Sequence, residues 1–219
     1  MIFHDRREAG RALGRAVREL ADVADPIVLG LPRGGVPVAY EVAQELGAPL
    51  DVFMVRKLGV PGQEELAMGA IAGNGIVVLN EPVIRAFGIG QNAIDEAVAR
   101  EQTEIGRRTA LYRGGRPPVS LEGRTAILVD DGLATGSTMK AAVLALRPVA
   151  QRVIAAVPVG AAGTCTQLRM EVAGLVCLDE PQHFVAVGEF YRHFDPTSDD
   201  EVRMLLEQAR RNRDVRGGS

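Results

Sequence analysis

The spacing of apolar residues changes period along the chain, and the changes mark out its elements. Between residues 5 and 23, Ala9, Leu13, Ala16, Val17 and Leu20 recur at helical spacing with Arg and Glu on the opposite face. This predicts an amphipathic helix that packs on a larger body. That body begins with "PIVLGLPRGGVPVAYEVAQELGAPLDVFMVRKLG". The pattern predicts a short strand from Ile27 to Leu31, a glycine-rich turn, a helix closed by Gly47 and a second strand from Leu50 to Val55, which together form a βαβ unit. Farther on, "RTAILVDD" reads as strand, "GSTMKAAVLALRP" as helix, "QRVIAAVPV" as strand, Thr166 to Val172 as helix and "GLVCL" as strand. Apolar strands alternating with helices predict an α/β fold, a central parallel sheet flanked on both faces by helices.

Residues 57–124 interrupt this alternation. Their first part carries Pro61, Gly62, Gly73 and Gly75, with "GNG" as a hairpin turn between short β segments; Ile94 to Tyr112 has a helical pattern that stops at "RGGRPP". A long Gly/Pro-rich connection inside a compact domain is expected to act as a flexible lid, the alternative being a mobile surface loop. A charged helix from Asp199 to Arg211 and an "RGGS" tail close the chain. With 219 residues, one domain over 1–219 is expected, with 57–124 as lid insertion and 179–212 as C-terminal hood and helix.

Composition removes several functional classes. The formal net charge of −3 supplies no basic excess for nucleic acid. Cys165 and Cys177 have neither CxxC spacing nor a histidine cluster nearby, so no disulfide framework or zinc site is expected, and a reducing cytoplasmic setting fits. "MIFHDRREAG" lacks an apolar signal region, and no apolar run approaches the roughly 20 residues of a membrane helix, so the expectation is a protein neither secreted nor in a membrane. "GIGQNA" (88–93) formally fits a dinucleotide pattern but follows a helical "PVIRAF" rather than a strand, and "GLATGSTMK" lacks P-loop spacing. His4, His183 and His193 show no nucleophile–base spacing.

The chemistry concentrates in "ILVDDGLATGST", residues 127–138, at the carboxyl end of a strand, where loops of open α/β sheets bind ligands. Ala134, Thr135, Gly136, Ser137 and Thr138 form a small-residue turn whose backbone N–H groups and hydroxyls can surround a phosphate. Asp130 and Asp131 would repel that phosphate but suit sugar hydroxyls or a divalent metal. Both demands are met by a ribose 5-phosphate; the plainer alternative is a helix cap followed by an ordinary strand-to-helix turn. In "GLPRGGVPVA" (30–39), Gly34 and Gly35 let the turn bring amides against a ligand, and Arg33 adds charge, so this is a second candidate anion site. Arg56 and Lys57, at the end of the neighbouring predicted strand, would bring three cations to one edge of the sheet.

These motifs resemble type I phosphoribosyltransferases. "ILVDDGLATGST" is similar to the family's phosphoribosyl-pyrophosphate signature, "LPRGG" to its pyrophosphate loop and "RK" to its basic pair. Residues 1–212 as a whole look like a branch named only for this general activity. The resemblance implies a parallel sheet, a loop that closes over substrate and a hood that selects the acceptor. It implies that Asp130 and Asp131 hold the ribose hydroxyls, that Thr135, Gly136, Ser137 and Thr138 hold the 5-phosphate, and that Arg33, Gly34 and Gly35 contact pyrophosphate with help from Arg56 and Lys57. Magnesium would be bound through the substrate's own oxygens, with no protein metal ligand assigned. The expected partners are phosphoribosyl pyrophosphate and a base-like acceptor, with a homodimer common in the family. Ala134 stands where hypoxanthine-type members carry an acid, which leaves the acid/base group unassigned. Glu64 and Glu65 in the lid are candidates for it, or are simply solvated. "PQHFVAVGEFY" resembles a base-framing segment and suggests Phe184 and Val185 as acceptor contacts, the alternative being a core strand. A sensor that binds the donor without turnover, and a sugar-phosphate hydrolase or phosphorylase, are the competing readings.

Overall fold

Strands apolar on both sides can only be buried between two layers, and the core is arranged that way. The computed structural model describes residues 1–20, 23–73 and 75–217, without the side chains of Glu65 and 214–217. Ala21 and Asp22 of the predicted first helix, Asn74 of the "GNG" turn and the last two tail residues lie outside this set.

Five parallel strands form the main sheet: β1 (Pro26–Gly30), β2 (Leu50–Val52), β6 (Thr125–Val129), β7 (Arg152–Val159) and β8 (Gly174–Asp179), in the order β2-β1-β6-β7-β8. Alternate residues face opposite layers. Val28, Ile127, Val129, Ile154 and Ala156 pack with α1 (Arg6–Arg18), α2 (Gly35–Leu46) and α7 (Asp199–Gly217). Ile27, Leu29, Ala126, Leu128, Val153 and Ala155 pack with α5 (Ser137–Leu146) and α6 (Ala162–Arg169). From β1 the chain winds outward to β2, then returns to place β6 on the other side of β1. The crevice between the carboxyl ends of β1 and β6 is therefore the switch point at which such sheets bind ligands.

Residues 57–124 fold into definite structure. β3 (Val55–Val60), β4 (Gln63–Ala72) and β5 (Val77–Leu79) form an antiparallel sheet, followed by α3 (Glu81–Ala86) and α4 (Gln91–Arg113). β3 and β4 meet across Pro61–Gly62, with Gly62 at φ 77°. Gly73 and Gly75 lie in the β4–β5 connection, as their composition predicts. Gly88 and Gly90 join α3 to α4, so "GIGQNA" links two helices.

Several boundaries depart from the sequence expectation. The first helix, expected over 5–23, ends at Arg18. The strand predicted over Leu50–Val55 stops at Val52, because after Phe53 and Met54 the chain leaves for the second sheet. The helix predicted over Thr166–Val172 is α6, four residues earlier, because the turn after β7 closes at once through a bond from the Cys165 amide to the Ala161 carbonyl. The last helix runs beyond Arg211 to Gly217.

The edge strand β2 is closed by a buried ion pair. Asp51 accepts from Arg113 Nε at 3.0 Å and from the Val119 amide at 3.1 Å, while Arg113 Nη2 donates to the Val52 carbonyl at 3.1 Å. The two side chains are only 5% and 12% exposed. Removing one partner of such a pair strands a charge out of water. Arg113→Met is expected to lower the unfolding free energy by about 3–5 kcal/mol, and adding Asp51→Asn should recover part of that loss. Urea denaturation of the two single variants and the double variant checks both outcomes.

Candidate functional site

The site is built where two loops touch. β1 leads through Leu31 into the turn of Pro32, Arg33 and Gly34 that starts α2, and β6 leads into Asp130 and Asp131. The Pro32–Arg33 peptide is cis. Gly34 sits at φ −59°, ψ −32°, an ordinary helical conformation open to any residue. The expectation that Gly34 and Gly35 supply unusual backbone angles is corrected for Gly34, and for both the requirement lies in their contacts. A Cβ on Gly34 would lie 2.0 Å from Asp131 Oδ2, and one on Gly35 would lie 2.6 Å from the Val129 carbonyl and 2.9 Å from Asp130 Cα. Glycine is needed because the backbone of one loop lies directly on the carboxylates of the other.

Asp131 is held on three sides. Arg6 Nε donates to its Oδ2 at 2.8 Å, the Tyr191 hydroxyl donates to its carbonyl at 2.6 Å, and Gly34 lies against the carboxylate. Arg6 in turn donates through Nη1 to the Asp195 carbonyl at 2.8 Å and stacks 3.8 Å above the Phe194 ring. The Asp130 carboxylate accepts the Asp131 amide at 2.9 Å. Burial pushes the Asp130 carboxyl well above the usual carboxylate range, and the negative charge of Asp131 adds to it. Burial also raises Asp131, and the Arg6 guanidinium opposes that rise. Burial, with Asp131 nearby, raises the Tyr191 phenol too, so it remains a donor.

Beyond the acids the loop opens to solvent. Gly136 adopts φ 72° as the residue preceding α5, a conformation that favours glycine, and a Cβ there would also meet the Thr164 methyl at 2.6 Å. Ala134, Thr135, Ser137 and Thr138 are exposed around it. Thr135 Oγ1 and Ser137 Oγ lie 3.2 Å apart, and Thr164 Oγ1 donates to the Ala134 carbonyl at 2.7 Å. The exposed hydroxyls therefore lie at the start of a ten-residue helix, where its first N–H groups are free of helical partners, around a buried αL glycine that sets the turn. Leu133 is fastened behind them, its amide bonded to the Val159 carbonyl and its carbonyl to the Ala161 amide.

The remaining predicted residues are distributed differently. Arg56 and Lys57 lie in β3, opposite Ile71 and Ala70, and not at the end of a strand of the main sheet. Arg56 Nε donates to Glu101 Oε2 at 2.8 Å, whereas Arg33 Nη1 lies 3.9 Å from Asp199 Oδ1, which also accepts the Tyr112 hydroxyl. Glu101 and Tyr112 are eleven positions apart on α4, about 16 Å along its axis, so the expected convergence of three cations gives way to separate carboxylate partners for Arg33 and Arg56. Glu64 is exposed next to the Pro61–Gly62 turn, and the Glu65 side chain lies outside the described set. Phe184 and Val185 lie in irregular chain rather than a core strand; Phe184 stacks on Phe190 at 5.4 Å and Val185 is 82% exposed.

Arg6, Tyr191, Phe194 and Thr164 escape a reading of the sequence. Arg6 looks like part of the polar face of an amphipathic helix, and its partner is 125 positions away. The C-terminal segment did carry a signal, since four of the nine aromatic residues in the chain fall between Phe184 and Phe194. Cys165 and Cys177, which their spacing separates, bring their sulfurs to 3.7 Å because α6 packs back on β8.

The Phosphoribosyl transferase domain profile matches residues 3–193. Two curated Mycobacterium tuberculosis proteins, from strains CDC 1551 and H37Rv and each named "Putative phosphoribosyl transferase", are 47% identical over 212 residues; these cover 96% of this chain and 48% of each relative. The chain thus spans about half the length of the curated relatives it matches. The crystal structure of TT1426 from Thermus thermophilus superposes with a TM-score of 0.86 at 41% identity, covering 95% of this chain and 99% of that one. With the sheet order, the paired carboxylates and the hydroxyl loop in place, the chain belongs to the phosphoribosyl transferase domain family.

Proposed function

We propose that this chain binds 5-phosphoribosyl 1-pyrophosphate at the β1–β6 crevice and transfers its phosphoribosyl group to a base-like acceptor with release of pyrophosphate. The observation that carries the reading is the adjacency of two part-buried carboxylates to a loop whose hydroxyls are exposed around an αL glycine, a match for a ligand with a diol beside a phosphate. The ribose hydroxyls donate to Asp130 and Asp131, where the diol competes with Arg6 for Asp131. The 5-phosphate sits among Thr135, Gly136, Ser137 and Thr138 at the start of α5. The turn of Arg33, Gly34 and Gly35 faces the pyrophosphate. Arg33 and Asp199 are 47% and 42% exposed, so an anion can draw Arg33 away at small cost. The oxygen-only donors at the crevice fit magnesium held mainly through the ligand, and when bound it supplies charge neutralisation to the departing pyrophosphate. Residues 57–124 with Lys57 and Arg56, and the segment around Phe184 and Val185, are the parts expected to cover the donor and frame the acceptor.

The direct test incubates the protein with magnesium, phosphoribosyl pyrophosphate and a panel of bases and follows pyrophosphate. Release that depends on the acceptor supports transfer. Donor binding without release under every acceptor would instead identify a sensor, and release without any acceptor a hydrolase. Asp131→Asn and Thr135→Ala are each expected to weaken donor binding about 10–100-fold, the loss of one charge-assisted hydrogen bond or a phosphate contact, as read by calorimetry. Unchanged affinity in both variants would refute the site assignment.

Asp130 also predicts a pH dependence. Its carboxyl is raised in the folded state, so its stabilising contribution is fully present below the unfolded-state value and is lost as pH rises through the folded-state value. Free protein should therefore become less stable as pH climbs above the ordinary carboxylate range, and Asp130→Asn should flatten that decline. Donor affinity should run the other way, rising over the same interval, because the ribose hydroxyls need an ionised acceptor. Thermal unfolding and donor titration across pH, for wild type and variant, measure both slopes.

A further inference from the structure

Away from the crevice, the sulfurs of Cys165 and Cys177 and a carboxylate oxygen of Glu180 lie within 4.8 Å of one another. Cys165 is fully buried on α6, while Cys177 on β8 and Glu180 just past it are part-exposed, which gives the cluster an entry path. We propose that Cys165, Cys177 and Glu180 form a binding site for a thiophilic divalent cation of the zinc type, with the fourth position open to water.

The geometry suits a metal, although in the thiol form Cys165 Sγ donates to Cys177 Sγ and Cys177 Sγ to the Asp179 carbonyl at 3.2 Å. Two thiolates about 2.3 Å from a tetrahedral ion stand about 3.8 Å apart, and the sulfurs here are 3.7 Å apart. A disulfide would require them to close to about 2.05 Å and would give Glu180 no role. The carboxylate is already oriented. Arg169 donates through both terminal nitrogens, one at 3.1 Å to Oε2 and the other to Oε1, as supporting groups orient metal-bound carboxylates. Two thiolates and a carboxylate carry three negative charges, which a dication and Arg169 cancel. Sulfur ligands select against magnesium, so this site is chemically distinct from the crevice. Coordination releases the thiol protons to solvent, so affinity falls as pH falls.

The cluster also has a place in the fold. A Cβ on Gly160 would lie 2.4 Å from Cys165 Sγ and 3.2 Å from Leu133 Cβ, so Gly160 is the spacer between the sulfurs and the root of the hydroxyl loop. A bound ion would tie α6 to β8 directly behind that loop, and Thr164, next to Cys165, holds the Ala134 carbonyl.

Cobalt(II) reports on such a site independently of any activity. Titrated anaerobically into reduced, metal-stripped protein, it should give a near-ultraviolet thiolate-to-metal band and tetrahedral visible bands that saturate at one equivalent and bleach when zinc is added. Cys177→Ser, at a part-exposed position, should lose at least half of the thiolate band's intensity and weaken cobalt binding while its circular dichroism stays native. Glu180→Gln should keep the band and weaken binding about 10–100-fold. Absence of a thiolate band in the reduced protein, or a band of full intensity with unchanged affinity in Cys177→Ser, would overturn the proposal. So would a cysteine pair that oxidises in air to a disulfide yet takes up no cobalt when reduced.

Discussion

Everything at the crevice depends on two neighbouring carboxylates being held out of water beside a single guanidinium. The fold achieves this by contact. Gly34 and Gly35 lay bare backbone against Asp131 and Asp130, and any side chain there would push the β1 turn away from β6. Arg6 then supplies one positive charge to Asp131, leaving Asp130 to carry the larger penalty. Such an arrangement stores a demand for hydrogen-bond donors: a ligand bringing hydroxyls to these oxygens restores what burial removed. Stability of the free protein and affinity for a diol thus oppose each other at the same carboxylate.

Arg6 reaches Asp131 because the two ends of the described domain are stitched together. The Phe3 amide donates to the Phe190 carbonyl, and the Arg192 and His193 amides donate back to the Phe3 and His4 carbonyls. Phe3 packs with Tyr191, and Tyr191 and Phe194 stack, so an aromatic layer carries both the Tyr191 hydroxyl and the face on which Arg6 rests. Val187 closes the layer against Gly132, where a Cβ would come within 2.5 Å of its methyl. Asp131 is therefore clamped by segments nearly two hundred residues apart in sequence, and disturbing either one would be felt at its carboxylate.

This organisation explains which parts were legible in the sequence. The parallel sheet was, because strands such as Thr125–Val129 are buried on both faces and their composition says so directly. The loop of residues 130–138 was too, since its chemistry is local: acids, an obligatory glycine and hydroxyls in one run. β4 was not foreseen as a ten-residue strand, because Gly69 and its alanines carry little strand signal and its place is set by pairing with β3 and β5. Arg56 and Lys57 were misplaced for a related reason: the break at Phe53 and Met54 that sends them into a second sheet leaves no mark in an unbroken apolar run. Arg6 and the cysteine pair were hidden because their meaning lies in partners that only the tertiary fold supplies.

The ion pairs divide the crevice into parts that are set and parts free to respond. Arg56 Nε meets Glu101 at 2.8 Å, and that glutamate side chain is only 13% exposed, so withdrawing the arginine would leave a largely buried charge to Arg100 alone. Arg33 meets Asp199 at 3.9 Å with both groups well solvated, an association worth about 0–1 kcal/mol. An incoming pyrophosphate would therefore recruit Arg33 first, from a turn already fixed against the acids by its two glycines. Recruitment of Arg56 would leave Glu101 to its present second partner, Arg100, whose Nε lies 3.3 Å from its other carboxylate oxygen. On the proposed function, a cover closing in this order would bind the donor first through groups that cost little to free, and would engage the second sheet only after the anion has arrived.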